Sequence, residues 1–151
     1  SFEVPKDYVL KVAADYDQHE AAVRQAIQWL QQTPLDEQEE KRKAAVDFVL
    51  DWINGSPKVN VELFPVAAQF EDKNPGMLAM FMAFSAQYVL DHNFIDNKRE
   101  KYKYAMAQLA VFYKEGKGVS MKKDKLLESY IQQASEGEAD KWITKKFALK
   151  D

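Results

Sequence analysis

Histidine and carboxylate side chains stand together at two places in the chain, and these places are the first candidates for chemistry. His19 and Glu20 begin like the zinc-protease signature, but its second histidine would fall on Val23, so that motif is absent. Asp15 and Asp17 precede this pair, and the four side chains could gather around a cation at the start of a helix. Capping of the helix N-terminus explains the same side chains more simply. We therefore predict no metal site here.

The second place is the polar segment 91–96, whose spacing is similar to that of a calcium-binding loop. The glycine required at loop position 6 is Asp96 and the glutamate required at position 12 is Tyr102, so this motif is also excluded. His92 stands between carboxylates and could titrate near neutral pH as an acid or a base. A polar turn that links two core helices is the simpler interpretation of these residues.

The remaining motifs of catalysis are missing from the chain. It has no cysteine, which excludes thiol catalysis, disulfides and cysteine-ligated metals. Gly116-Lys117-Gly118 lacks the spacing and the terminal Ser or Thr of a phosphate-binding loop. Neither a nucleophile elbow nor a dinucleotide fingerprint is present. The sequence thus predicts no catalytic residues, no metal and no cofactor. An enzyme with a dispersed carboxylate and histidine site remains the alternative to a binding protein.

Aromatic residues, which make up 13% of the chain, are the strongest candidates for binding. A peptide groove uses exposed Trp and Tyr side chains, whereas a core buries them. Both interpretations stay open for the four residues that we select as a hypothetical groove. They are Trp29, Trp52, Tyr102 and Tyr113.

Apolar residues recur at helical spacing along most of the chain. The first predicted helix is capped by Asp15 or Asp17 and ends at about Gln32, and the second begins at Asp36. The stripe of this second helix follows the i, i+3, i+4, i+7 pattern of a core-facing surface. Its members are Val46, Val49, Leu50 and Ile53.

A segment after Pro75 is apolar nearly all round, which is typical of a helix in the middle of a core. Residues 58–63 alternate like a strand but have no pairing partner, so we expect an extended connector. The sequence predicts an all-α fold, with residues 1–151 forming a single α-helical domain. Its architecture is a helical bundle or a short helical-repeat-like array of six or seven helices. The longest apolar run, Met77 to Ala86, is too short to cross a bilayer.

Positive and negative residues are distributed unevenly along the chain. Residues 1–97 contain 8 Lys and Arg against 16 Asp and Glu, whereas residues 98–151 contain 13 against 8. Acids interleaved in the basic part and a net charge of −3 for the whole chain argue against nucleic-acid binding through that part. The absence of Cys and of an initiating Met slightly favours a periplasmic or secreted location. The oligomeric state is not predicted.

Residues 104–139 carry small and aromatic side chains in a spaced pattern around the Gly116-Lys117-Gly118 turn. The matching residues are Tyr104, Ala107, Leu109, Tyr113, Gly116, Gly118, Val119, Tyr130, Ala134, Gly137 and Ala139. With these residues the segment resembles one Sel-one-like repeat, a subclass of the tetratricopeptide helical hairpin. The departures from the family pattern are Ala110, Lys122, Leu126 and Ser129. The chain as a whole also has the general character of uncharacterised exported helical proteins of bacteria.

The Sel-one-like resemblance implies a scaffold that binds other proteins. Such repeats need stacked neighbours, normally at least about three, to bury their faces. Together with the missing catalytic motifs, it favours a non-catalytic helical module that binds a protein or a peptide.

Overall fold

Seven α-helices build the computed structural model, which describes residues 2–150, and no strand occurs within that range. The predicted all-α fold is therefore confirmed, and the helices pack into one domain. Residues 58–63 form the expected extended connector. The helices are α1 (Ala13–Gln32), α2 (Glu39–Gly55), α3 (Pro65–Lys73), α4 (Met77–Asp91), α5 (Lys98–Gly116), α6 (Lys125–Ser135) and α7 (Ala139–Lys146).

Polar side chains fix where several helices begin. The Asn97 side chain accepts a hydrogen bond from the amide of Glu100 at the start of α5. Asp124 does the same for the amides of Leu126 and Leu127 in α6. In α1 the Asp15 carboxylate accepts from the amides of residues 11 and 12, so it closes the helix start from inside the first turn.

The second helix begins later than predicted. Asp36 lies in a turn in which the amide of Glu37 donates to the carbonyl of Pro34. Gln38 then adopts a left-handed conformation with φ of 48°, and α2 starts at Glu39. The turn satisfies a backbone amide locally, so the helical pattern cannot extend back to Asp36.

Helix α4 is the centre of the domain, as its all-round apolar character predicted. It packs against α1, α2, α3 and α5. Met80, Phe81 and Phe84 are fully buried. Helix α7 packs against α5 and α6 and adds Trp142 and Ile143 to the core.

A bidentate contact ties the two halves of the chain together. The Asn74 side chain donates to the carbonyl of Lys122 at 2.9 Å and accepts from its amide at 2.7 Å. Asn74 is buried, so both bonds are partly shielded from water. This contact fixes the loop before α6 against the turn between α3 and α4.

Candidate binding groove

Three of the four aromatic residues selected from the sequence fill the core instead of lining an open groove. Trp52 is 2% exposed, and Tyr102 and Tyr113 are fully buried. Their polar atoms are satisfied inside the protein: the indole of Trp52 donates to the carbonyl of Tyr16, and the hydroxyl of Tyr102 accepts from the amide of Glu62. The large apolar surfaces of these rings explain their burial in a helical core.

Trp29 is the one member of this set that reaches the surface. Its half-buried ring lies 6.5 Å from the ring of Phe2, and the ammonium of Lys41 lies 4.8 Å from its centre. Lys41 also donates to the carbonyl of Phe2. The N-terminal segment therefore covers part of Trp29, and Trp29 shares no surface with the other three aromatic residues.

An apolar groove of about 450 Å³ runs between α2 and α4. Helix α2 contributes one stripe of side chains, and the start of α4 contributes another. Leu35, in the loop before α2, closes one end. The remaining lining residues are Glu39, Arg42, Lys43, Val46 and Leu50 on the α2 side, and Glu71, Pro75, Gly76, Leu78, Ala79 and Met82 on the α4 side.

The sequence indicates a surplus of apolar residues on α2 and α4 but does not locate the groove. Val46 and Leu50 belong to the predicted core stripe of α2, but both are only half-buried, whereas Val49 and Ile53 on the same helix are buried. Likewise Leu78 belongs to the all-round apolar α4 and is half-buried. A helix with more apolar residues than its neighbours can cover leaves the surplus at the surface.

Arg42 is the unusual residue of the groove, because it is a cation with only 6% of its surface exposed. Its guanidinium donates to the carbonyls of Leu30 and Thr33, which are at the C-terminal end of α1, and to the sulfur of Met80. The ring of Phe112 lies 5.5 Å from the guanidinium carbon. Burial lowers the pKa of Arg42 to about 10, so the side chain stays charged at neutral pH.

The other charged residues of the groove are more exposed than Arg42. The Glu71 carboxylate accepts hydrogen bonds from the amides of Gly76 and Leu78, which places it as the cap of α4. Lys43 is exposed and pairs with Asp47 at 3.1 Å. Glu39 is exposed at the first turn of α2. The groove thus has an apolar floor, a buried cation and a mixed polar rim.

The two histidines lie in separate aromatic clusters. His19 is half-buried and packs against Tyr8 and Phe48, and its Nδ1 is 2.8 Å from the carbonyl of Asp15. His92 is exposed and stacks on Tyr88. Within residues 2–150, no group of three or more His, Asp or Glu side chains is arranged to hold a metal.

A buried tyrosine network joins α5 to α6. The hydroxyl of Tyr113 donates to Glu128 at 2.5 Å and accepts from the amide of Asp124. Burial and the bond to Glu128 raise the pKa of Tyr113 to about 12, so its hydroxyl stays protonated. Lys117 also contacts Glu128 at 3.0 Å. The network holds two helices together at the turn of the repeat-like hairpin.

No protein-family model, curated protein or solved structure matches this chain. The resemblance of residues 104–139 to a Sel-one-like repeat therefore remains a prediction. None of the helices described between residues 2 and 150 has the length and apolar character needed to cross a membrane.

Proposed function

We propose that the protein is a non-catalytic interaction module that binds an amphipathic helix of another protein in the α2–α4 groove. The observation that carries this proposal is the groove itself, about 450 Å³ of space with an apolar floor between two helices. A contiguous apolar surface of this kind is typical of a protein-interaction site.

The shape of the groove favours a helix as its occupant. Val46 and Leu50 lie one turn apart on α2, and Leu78 and Met82 lie one turn apart on α4. A third helix can insert its i, i+4 ridge between two such stripes, which is how helices pack on one another in protein cores. Recognition by a groove of this form requires apolar anchors at i, i+3 or i+4, and i+7 of the bound helix.

The Sel-one-like resemblance supports the same class of function, since that family consists of scaffolds for protein partners. It concerns α5 and α6, whereas the groove lies between α2 and α4. The two arguments therefore rest on different parts of the molecule.

The test is a selection from a displayed library of helical peptides, followed by affinity measurements on the purified protein. We expect the selected peptides to share apolar residues at the anchor spacing. The variant Leu50→Glu should bind them at least about tenfold more weakly, because it places a charge on the groove wall. Val111→Glu is the matched control, because Val111 is an exposed apolar residue of α5 outside the groove.

Two results would contradict the proposal. One is a selection that yields no peptide with a measurable affinity for the folded protein. The other is a set of peptides that bind Leu50→Glu and the wild type equally well, since their site would then lie elsewhere. Circular dichroism of both variants shows whether they keep the fold.

A further inference from the structure

We infer that the helix bound in the α2–α4 groove carries an acidic side chain within its apolar face, and that this carboxylate pairs with Arg42. The inference rests on the proposed function and specifies the chemistry of the partner. Its basis is a buried positive charge for which the described part of the chain supplies no carboxylate.

The contrast with Lys101 makes the charge of Arg42 unusual. Both are buried cations: Lys101 is 2% exposed and Arg42 is 6% exposed. Lys101 has a carboxylate partner, since its ammonium lies 2.9 Å from Asp96 and also donates to the carbonyl of Asn60. Within residues 2–150, no carboxylate lies within 4.0 Å of the Arg42 guanidinium. Buried charges in proteins are normally paired.

The carbonyls at the end of α1 neutralise only part of this charge. A helix C-terminus is equivalent to roughly half of a negative elementary charge. The carbonyls of Leu30 and Thr33 and the ring of Phe112 therefore offer Arg42 only partial negative charges and no full counter-charge. A guanidinium has five N–H donors, and the bonds to Leu30, Thr33 and Met80 occupy three of them. The other two N–H groups have no acceptor within residues 2–150, and Arg42 is one of the residues that line the groove.

The neighbouring acids do not take this role. Glu71 is held by the amides of Gly76 and Leu78, and Glu39 is exposed at the rim. A carboxylate on the bound partner would meet the buried Arg42 in a groove that the partner covers, where an ion pair is stronger than in water. Lys43 is exposed and pairs with Asp47, so its attraction for an incoming acid is screened by water, whereas that of the buried Arg42 is not.

An acid in the apolar face would also select the partner. A helix that buries only apolar residues leaves Arg42 desolvated and without a counter-charge, which is unfavourable. A helix with a correctly placed Glu or Asp relieves this cost. The pair therefore provides specificity and fixes the register of the bound helix.

The experiment compares synthetic amphipathic helical peptides in which one glutamate occupies each apolar-face position in turn. Each peptide has a partner with glutamine at the same position, and fluorescence anisotropy measures the affinity of both for the wild-type protein. We expect one register in which glutamate binds at least about tenfold more tightly than glutamine. In Arg42→Met this preference should disappear, and in Arg42→Lys it should be reduced.

The comparison within wild type does not depend on whether Arg42→Met folds. If the peptides bind but glutamate and glutamine are equal in every register, the inference is wrong and the proposed function stands. If no peptide binds, the proposed function fails and the inference fails with it.

Two other occupants are tested in the same assay. Dodecanoate that binds in an Arg42-dependent manner and displaces the peptides would identify a lipid carboxylate as the ligand and overturn the inference. Sedimentation that shows a dimer of wild type, lost in Leu50→Glu, would assign the groove to a second copy of this chain and overturn it as well.

Discussion

Gly55 is a position at which an added Cβ atom would overlap a neighbouring side chain. It lies at the end of α2, and a Cβ there would be 2.7 Å from the Cζ atom of Tyr16 and closer still to its hydroxyl. The carbonyl of Tyr16 accepts the indole N–H of Trp52. The ring of Tyr16 is itself buried and lies 6.4 Å from the ring of Trp52.

We predict that Gly55→Ala lowers the free energy of unfolding by about 1–3 kcal/mol, because the added methyl group overlaps the packed side chain of Tyr16. Alanine favours a helix by about 1 kcal/mol over glycine, so a loss of stability here identifies the clash. Chemical denaturation followed by circular dichroism measures it. Asn54→Ala, at an exposed neighbouring position, serves as the control.

A double-mutant cycle locates the clash. Tyr16→Phe removes the hydroxyl, which is the nearest atom to the added carbon and donates only a long 3.3 Å hydrogen bond to Leu10. We expect Tyr16→Phe to restore part of the stability lost in Gly55→Ala. Strictly additive effects of the two substitutions would show that the clash lies elsewhere.

The stabilisation that Glu128 contributes to the fold depends on pH. Hydrogen bonds from Tyr113 and Lys117 lower the pKa of its carboxyl below the usual value of 4.5. The ionised form is therefore favoured in the folded state. Its stabilisation is fully present above about pH 4.5 and is lost as the pH falls through the lower pKa of the folded protein.

We predict that the difference in Tm between wild type and Glu128→Gln is largest at neutral pH and shrinks below pH 4.5. Glutamine can still accept the bond from Tyr113 but carries no charge. Thermal unfolding between neutral pH and pH 3 measures the difference, and Glu115→Gln controls for the loss of one exposed charge. A difference that stays constant over this range would contradict the assignment.

At the scale of the elements, the start of α4 depends on a side chain from the preceding helix. Glu71 belongs to α3, and its carboxylate accepts from the amides of Gly76 and Leu78. These amides have no partner within α4, because they are at its N-terminal end. A negative charge at this end is also favoured by the helix dipole.

We predict that Glu71→Ala costs about 0.5–2 kcal/mol of stability, as the loss of a helix cap does. Glu71→Gln keeps an acceptor oxygen without the charge and should be intermediate. Asp72→Ala is the matched control, because Asp72 is the exposed neighbour and its side chain forms no hydrogen bond or ion pair within residues 2–150. Equal effects of Glu71→Ala and Asp72→Ala in urea denaturation would refute the capping role.

The helices themselves were predictable, but the groove was not. Val46 and Val49 belong to one apolar stripe of α2, and the sequence pattern predicts the same burial for both. Their different burial depends on how far α4 lies from α2 along that stripe, which is a property of two helices and not of one.

At the scale of the whole molecule, the last helix completes the core. The ring of Phe147 is stacked 4.7 Å from that of Phe64, and it also meets the edges of Phe81 and Tyr102. Helix α7 has only eight residues, and a helix of that length is not stable alone in water. It is held in place by the side chains that it buries.

We predict that Phe147→Ala lowers the free energy of unfolding by about 3–5 kcal/mol, as expected for an aromatic ring removed from a core. The loss should affect α1 and α2 as well, because all seven helices share one core. Two single-tryptophan variants report on the two ends of the chain. One keeps only Trp29, and the other keeps only Trp142. We expect their unfolding midpoints to coincide, and Lys146→Ala is the exposed control.

Two separate midpoints in these single-tryptophan variants would mean that the halves of the chain unfold independently. The pairing of Asn74 with Lys122 argues for one transition, because it joins α3 and α4 to the loop before α6.

The sequence by itself determined the class of fold and most helix boundaries. Helical spacing of apolar residues, prolines after α1 and α2, and the Asn97 cap are local features, and each acts within a few residues of itself. It also suggested an aromatic groove, which Trp52, Tyr102 and Tyr113 do not form because the core buries their rings.

Only the tertiary structure decided where an apolar surface stays open and which charge is buried. Arg42 lies in the run Lys41-Arg42-Lys43, which in a sequence is typical of a solvated helix face. It is buried because the end of α1 packs over α2 and offers its carbonyls to the guanidinium. Burial is set by contacts between residues distant in the chain, and those contacts exist only once the helices are assembled.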